Sequence, residues 1–284
     1  MESTQAVSQT AMLIASLRAL SCYEEDKNIR GIDTLAELFL PEEKRLALHD
    51  AAFRPKIRQM IPAGLYEYVI ARTAWFDQLV LQHLALHTPQ IVILGAGFDS
   101  RAVRFSSSLG NSTVFELDQT ATLDAKQKIY QQSQIVLSDH VHFVPTNFEN
   151  DSWYAGLIKA GFDPKRNSLF IWEGVTFYLT PRAVSQTLSK LAYLMNHHSA
   201  LSFDYQHTDA QHALCETGLE NEEIRFGLDE CTIDSYLQTF GLSLEKDLDA
   251  EALEERFLTM SSGQRFGTIN PMMHIALVTR KARR

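Results

Sequence analysis

From residue 90 onward, short uninterrupted apolar segments alternate with stretches of helical periodicity, and this alternation constrains the fold most. Strands that are apolar along their whole length are buried on both faces, as in parallel sheets covered by helices. The pattern therefore predicts an α/β fold with a doubly wound, mainly parallel, seven-stranded sheet. The seven strand candidates are Ile91–Leu94, Thr113–Asp118, His140–Val144, Ser168–Trp172, Ser199–Tyr205, Leu242–Asp247 and His274–Thr279.

The segments outside this alternation suggest how the chain is organised. Residues 1–89 have helical periodicity, which is strongest from Leu65 to Leu86 and ends at Pro89. Residues 206–228 are polar and irregular, and they are longer than an ordinary connection. We predict a helical N-terminal cap over residues 1–89 and a ligand-binding core over residues 90–284, with a lid at about 206–228.

Composition and charge exclude several classes of protein. The chain has 26 basic and 35 acidic side chains and a net charge of -9, which argues against nucleic-acid binding because phosphates require clustered cations. Three scattered cysteines are too few for a disulfide framework, so a reducing compartment is expected. No apolar run approaches the length of a membrane span. We expect a cytoplasmic protein with neither a nucleic-acid nor a membrane partner.

A glycine-containing turn follows the first predicted strand. Gly95-Ala96-Gly97 directly succeeds the apolar run, and glycines there let a ligand approach the backbone closely. In open parallel sheets, ligands bind at the carboxyl ends of the strands, where this turn should lie. A dinucleotide-binding turn would have a third glycine at the position of Ser100. Two glycines alone are also compatible with a turn that binds nothing.

Acidic residues end two of the predicted strands. Asp118 lies where a carboxylate can bind both ribose hydroxyls of a nucleoside, although it could instead cap the following helix. No cation follows it to bind a 2′-phosphate, which disfavours NADP. Glu173 ends a buried strand and requires a cation, either a protein side chain or a bound ligand. Arg72 lies on an apolar helix face, where it could pair with a structural acid or with a ligand carboxylate.

Together these motifs resemble the leucine carboxyl methyltransferase family, which includes bacterial O-methyltransferases of polyketide pathways of the tetracenomycin type. The resemblance extends from about Thr10 to residue 245. It is carried by Ala71-Arg72-Thr73, Gly95-Ala96-Gly97-Phe98-Asp99-Ser100-Arg101, Phe115-Glu116-Leu117-Asp118, Phe170-Ile171-Trp172-Glu173-Gly174 with Tyr178, and Arg225-Phe226-Gly227.

The resemblance implies a Rossmann-like class I fold that binds S-adenosyl-L-methionine and releases S-adenosyl-L-homocysteine. By position, Arg72 would bind the cofactor carboxylate, Gly95, Ala96 and Gly97 would border its methionine part, and Asp118 would bind the ribose. Glu173 would lie near the amino group. The family has an Asp-Leu pair beside the adenine, where this chain has Asn147-Phe148; asparagine can still accept a bond from the adenine amino group.

The expected reaction is methyl transfer to a carboxylate or hydroxyl of a small molecule of secondary metabolism. A carboxylate acceptor is already ionised at neutral pH and needs no general base. A hydroxyl acceptor needs a base to remove its proton, or an environment that lowers its pKa. We predict no metal, because no third ligand follows Asp204 and His207 at helical or hairpin spacing. The candidates for substrate positioning are Tyr178, Tyr205 and Arg225; less favoured are His207, His212, Arg54 and Arg58.

Two other functions remain open at this stage. A similar sheet could serve an NAD-dependent oxidoreductase, although Ser100 and the long helical segment before the glycine turn disfavour it. A member of the same family could also bind the cofactor, or a partner, without transferring methyl groups. Neither the methyl acceptor nor the oligomeric state follows from the sequence.

Overall fold

The computed structural model describes residues 9–149, 153–208, 223–229 and 232–281. Eight strands in this part of the chain are β1 Gln90–Leu94, β2 Thr113–Asp118, β3 Val141–Pro145, β4 Ser168–Trp172, β5 Ala200–Thr208, β6 Leu228–Asp229, β7 Leu242–Leu248 and β8 Met273–Arg280. The α-helices are α1 Gln9–Ser21, α2 Glu42–His49, α3 Arg54–Gln59, α4 Leu65–Ala85, α5 Arg101–Arg104, α6 Thr120–Gln132, α7 Trp153–Lys159, α8 Pro181–Leu194, α9 Ile233–Gln238 and α10 Ala250–Phe257. Within the described residues, no helix combines the length and apolarity needed to cross a membrane.

The strands form one sheet in the order β3-β2-β1-β4-β5-β8-β7, with β6 paired to β5. Strands β1 to β5 are parallel, whereas β8 runs antiparallel to both β5 and β7. The predicted doubly wound, mainly parallel sheet is therefore confirmed. The sequence predicted neither β6 nor α10. Strand β6 has only two residues, which are too few to show a period, and α10 begins after the N-cap Asp249.

Helices cover both faces of the sheet. On one face, α1, α4 and α10 share an apolar cluster with inward side chains of β1 and β4, such as Ile93 and Ile171. On the other face, α7, α8 and α9 pack on side chains such as Phe170 and Phe203. Residues 1–89, expected to form a cap, contribute both α1 and α4 to this helical layer. The predicted lid at about 206–228 overlaps two strands, since residues 206–208 belong to β5 and residue 228 begins β6. Residues 209–222 lie outside the described part of the chain.

The turn after β1 depends on a glycine. Gly95 has a φ of 67°, in the left-handed region that side chains disfavour. A Cβ atom at this position would lie 2.3 Å from Cγ2 of Val175, which follows β4. Two adjacent strand ends therefore approach each other only because residue 95 has no side chain.

A buried ion pair joins β2 to the helix that covers it. Lys126 on α6 donates to Oε2 of Glu116 at 2.5 Å, and both side chains are almost fully buried. Burial raises the pKa of Glu116 from 4.5 to about 7, although the lysine opposes this shift. The pair fixes α6 above β2 and hence the position of Asp118, which ends this strand.

We expect Gly95→Ala to destabilise the protein more than Gly110→Ala. Both glycines have positive φ, but a Cβ at Gly110 would meet nothing within 4 Å. The control should cost about 1–2 kcal/mol for the left-handed backbone. The clash at Gly95 should add about 1–3 kcal/mol. Urea unfolding measures both, and equal losses would contradict the close approach to Val175.

We expect Lys126→Met to lower the free energy of unfolding by about 3–5 kcal/mol at about pH 8, because it leaves Glu116 buried without a cation. In the wild type the folded carboxyl ionises near pH 7, whereas without the lysine it would hold its proton to a higher pH, while the unfolded chain releases it above pH 4.5. The loss should therefore increase as the pH rises from about 5 to about 8. Urea unfolding at both pH values, with the exposed Lys128→Met as control, tests this; a pH-independent loss would contradict it.

Candidate functional site

A cavity of about 750 Å³ lies at the carboxyl edge of the parallel strands, beside the turns that follow β1 to β4. This is the edge where open α/β sheets bind their ligands. The structure brings to it ten of the eleven residues that the sequence selected: Arg72, Gly95, Ala96, Gly97, Asp118, Asn147, Phe148, Glu173, Tyr178 and Arg225. The exception is Tyr205, which does not line it.

Arg72 and Glu173 contact each other at the wall of this cavity. Nε of Arg72 donates to Oε1 of Glu173 at 3.0 Å, and Nη1 donates to Oδ2 of Asp204 at 3.1 Å. Burial disfavours the charged guanidinium, but the two carboxylates outweigh it and raise the pKa of Arg72. These bonds use two of the five N–H donors of a guanidinium. The arginine therefore has a structural partner and also lines the cavity.

A second buried arginine holds Glu173 from the other side. Nη1 of Arg101 donates to Oε2 of Glu173 at 2.8 Å and also contacts Asp99, while its Nε donates to Asp77 at 2.7 Å. Burial opposes ionisation of Asp99, but the charge of Arg101 lowers the pKa of this carboxyl to about 2. Sequence reasoning gave Arg101 and Asp77 no role. Asp77, like Arg72, lies on the buried face of α4. A charged residue on an apolar helix face was the signal by which the sequence could have indicated this role.

Asp118 positions the glycine turn. Its Oδ2 accepts from the backbone N–H of Gly97 and its Oδ1 from that of Gln119, both at 2.7 Å. Burial raises the pKa of Asp118, although these two bonds favour the carboxylate. Asp118 therefore holds the glycine turn and also faces the cavity, whereas α6 begins after Gln119 without a side-chain cap, so the capping alternative is not what the structure shows.

The N-terminal helix closes one side of the cavity, which the sequence did not predict. Arg18 lies there with Ala11 and Ile14, and its Nη2 donates to the carbonyl of Phe98 at 2.6 Å. Its Nε lies 3.1 Å from Oδ2 of the buried Asp33. Arg18 interrupts an otherwise apolar helix, and this interruption was the only signal in the sequence.

The mouth of the cavity carries the less buried candidates. Arg225 lies 3.4 Å from Oε1 of Glu149, and both side chains are nearly half exposed. The backbone N–H of Arg225 donates to the carbonyl of Phe177 at 2.7 Å, which places this segment beside Tyr178. An exposed ion pair contributes little stability, so Arg225 can exchange its partner for a ligand at small cost.

The structure places the remaining candidates elsewhere. Tyr205 is buried on the opposite face of β5, where its hydroxyl donates to Asp247 at 3.1 Å and neighbours His207. Arg54 stacks on Tyr23, and Arg58 pairs with acids on the surface. His212 lies outside the described residues.

The charge of the cavity favours one kind of ligand. Five carboxylates and three guanidiniums line it: Asp99, Asp118, Glu149, Glu173 and Glu223 against Arg18, Arg72 and Arg225. An excess of acid disfavours a diphosphate and favours a ligand with net positive charge. The cavity therefore matches a nucleoside with a cationic tail better than a dinucleotide.

Comparisons with known proteins agree with this geometry. Residues 11–192 match the model of the family described as leucine carboxyl methyltransferase. A relative from Mycolicibacterium paratuberculosis is 33% identical over 66% of this chain and 60% of its own length, and one from Mycobacterium tuberculosis is 32% identical over 63% and 59%. Both are provisionally named S-adenosyl-L-methionine-dependent methyltransferases. This chain thus spans about three fifths of the length of these relatives.

The fold has a counterpart among solved structures. A crystal structure of a protein from Thermobifida fusca, provisionally titled a methyltransferase, superposes with a TM-score of 0.55 over 95% of each chain at 13% identity. This likeness shows the Rossmann-like class I fold expected from the resemblance. Because the family model matches well over half of the chain, the protein belongs to the leucine carboxyl methyltransferase family.

Proposed function

We propose that this protein is an S-adenosyl-L-methionine-dependent O-methyltransferase that transfers a methyl group to a carboxylate or hydroxyl of a small molecule. The observation that carries the proposal is the acidic cavity, in which Glu173 and Asp118 lie on either side of a glycine turn. The family match and the provisional names of the relatives support the same reaction class.

The residues of the cavity fit this cofactor. Glu173 would accept from its ammonium group, and Arg72 has further N–H donors for its carboxylate. The backbone of Gly97 leaves room for close approach, since a Cβ there would meet only Ala11, at 3.5 Å, apart from the turn itself. Asp118 would accept from the ribose hydroxyls, and Asn147 and Phe148 would contact the adenine.

The same features disfavour the two alternatives. NAD carries a diphosphate, and the cavity would present it with more carboxylates than guanidiniums. The place of a third glycine is taken by Ser100, which is buried and donates to Asp33 at 2.6 Å. A family member that bound only the cofactor would have no use for a cation where an acceptor enters the cavity. The half-exposed Arg225 lies there, paired with Glu149.

When bound, the cofactor supplies an electrophilic methyl group on a sulfonium. The protein then acts mainly by positioning the acceptor and by excluding water. Residues of α1 line one side of the cavity, and Tyr178 and Leu179 line another, which favours exclusion of water from these sides. Arg225 would bind an acceptor carboxylate, and Tyr178 would orient the acceptor oxygen. A carboxylate acceptor requires no proton transfer, whereas a hydroxyl must lose its proton.

We expect S-adenosyl-L-methionine and S-adenosyl-L-homocysteine, but not NADH, to stabilise the protein. At about a hundredfold excess over the dissociation constant, linkage gives about 2.7 kcal/mol. The thermal midpoint should then rise by roughly 5–10 °C. A rise with NADH alone would replace the proposal with the oxidoreductase.

Asp118→Asn is the sharpest variant for the binding site. Removing Arg72 or Glu173 would leave a buried charge without its partner, which costs stability. Asp118 instead bonds to backbone N–H groups, and asparagine keeps one acceptor oxygen. Calorimetry should show about 10–100-fold weaker cofactor binding, as expected for the loss of a charged hydrogen bond. The exposed Asp124→Asn on α6 is the control, and equal affinities would contradict the assignment.

The acceptor class can be read from the pH dependence of methyl transfer to a panel of carboxylic acids and phenols. With a carboxylate acceptor, the rate should stay level from about pH 6 to about pH 9, because the nucleophile is already ionised. With a phenol, the rate should rise toward a pKa of about 10 unless a residue lowers it. Cofactor binding without transfer to any acceptor would favour the non-catalytic alternative.

Arg225→Gln tests substrate positioning. If Arg225 binds an acceptor carboxylate, KM for carboxylate acceptors should rise while kcat changes little. The exposed Arg182→Gln on α8 serves as the control for loss of a surface cation. An unchanged KM in Arg225→Gln would remove this residue from the site.

A further inference from the structure

Three potential metal ligands meet on the far side of β5 from the cavity. They are His207 near the end of β5, Asp247 near the end of β7 and His274 near the start of β8. One nitrogen of each histidine and one oxygen of the aspartate all lie within 4.8 Å of one another. We propose that these residues form a binding site for a divalent transition-metal ion of the zinc type.

The antiparallel half of the sheet brings these residues together. Tyr205 pairs with His274 across β5 and β8, and the backbone N–H of His207 donates to the carbonyl of Met272 two residues further along. Side chains two residues apart in a strand lie on the same face. His207 therefore lies on the face of Tyr205 and His274, and the two imidazole rings stack with centroids 3.8 Å apart.

A register shift places the aspartate on this face. Pairing between β7 and β8 slips between Leu244 and Lys246, so that Asp247 pairs with Ala276. Ala276 and His274 are two residues apart and share a face. Without the slip, Asp247 would project to the other face, since a shift of one residue reverses every side chain. Bulges of this kind commonly orient a functional side chain.

The distances suit a tetrahedral ion. Ligand atoms bound at 2.0–2.2 Å in a tetrahedron lie about 3.4 Å apart. Nδ1 of His274 and Oδ1 of Asp247 are 3.3 Å apart, so this pair already has the required separation. Two imidazoles and one carboxylate form a ligand set that zinc accepts, with a fourth position for water. The side chain of Asp247 is 26% exposed, which leaves a path for the ion.

Tyr205 supports the carboxylate. Its hydroxyl lies 3.1 Å from both oxygens of Asp247 and 3.4 Å from Nε2 of His207. Residues that bond to a ligating carboxylate fix its orientation and tune the metal affinity. We therefore infer a positioning role in the metal site for Tyr205, rather than contact with the methyl acceptor.

The experiment uses the full chain, stripped with a chelator and free of any affinity tag. Calorimetric titration with Zn²⁺ should show one equivalent bound, and Co²⁺ should give the visible absorption of a tetrahedral complex. His207→Gln and Asp247→Asn should each weaken zinc binding by at least about tenfold, because each removes one ligand. Tyr205→Phe should weaken it by about 10–100-fold through the carboxylate.

Exposed His140 provides the matched control, since His140→Gln removes an imidazole far from the cluster in sequence and should leave zinc affinity unchanged. His207 and Asp247 are more exposed than His274, so their variants should fold, which circular dichroism verifies. Absence of Zn²⁺ binding, or equal affinity in all these variants, would overturn the proposal. This result is independent of whether the cavity binds S-adenosyl-L-methionine.

Discussion

The candidate site depends on a network of buried ion pairs behind the cavity. Four guanidiniums and five carboxylates join α1, α4, α5, the turn after β1, the end of β4 and the middle of β5. They are Arg18, Arg72, Arg101 and Arg104 with Asp33, Asp77, Asp99, Glu173 and Asp204. Desolvated charges are tolerated only when each meets its partner in good geometry. The network therefore fixes the relative positions of these elements, and its one excess carboxylate favours a ligand of positive charge in the neighbouring cavity.

Glu173 belongs to the ion-pair network and also lines the cavity. Arg72 and Arg101 bind one oxygen each, and the same side chain lines the cavity. The sequence left open whether this acid meets a protein cation or a ligand. The geometry shows that these alternatives are compatible, because a carboxylate has about four lone-pair sites and two arginines occupy two of them.

The sequence predicted the parts of the structure that follow from local periodicity. Helix α4 begins at the predicted Leu65 and ends one residue before the predicted Leu86, because its apolar face repeats regularly and a proline follows. The glycine turn was visible because a positive φ after a strand favours glycine. The distant partners of Arg101 and Arg18 were not visible, since only the tertiary fold brings Asp77 to Arg101 and Asp33 to Arg18.

The cluster of His207, Asp247 and His274 also could not be predicted from the sequence. The sequence search for a third ligand considered Asp204 with His207, but Asp204 lies on the cavity side, where it binds Arg72 and Tyr68. The true neighbours come from β7 and β8, and a bulge determines which face Asp247 occupies. No spacing along the chain encodes a contact that depends on antiparallel register.

Strand β5 connects the two sites. Asp204 and Tyr205 are consecutive, so they project to opposite faces, one toward the cavity and the other toward the histidines. Beyond them, His207 pairs with Leu228 of β6, and Thr208 bonds to Asp229 at 3.3 Å. The chain between β5 and β6 includes Arg225, which lines the cavity mouth. An ion bound at His207 would therefore lie next to the pairing of β5 with β6, the strand that follows Arg225 in the chain.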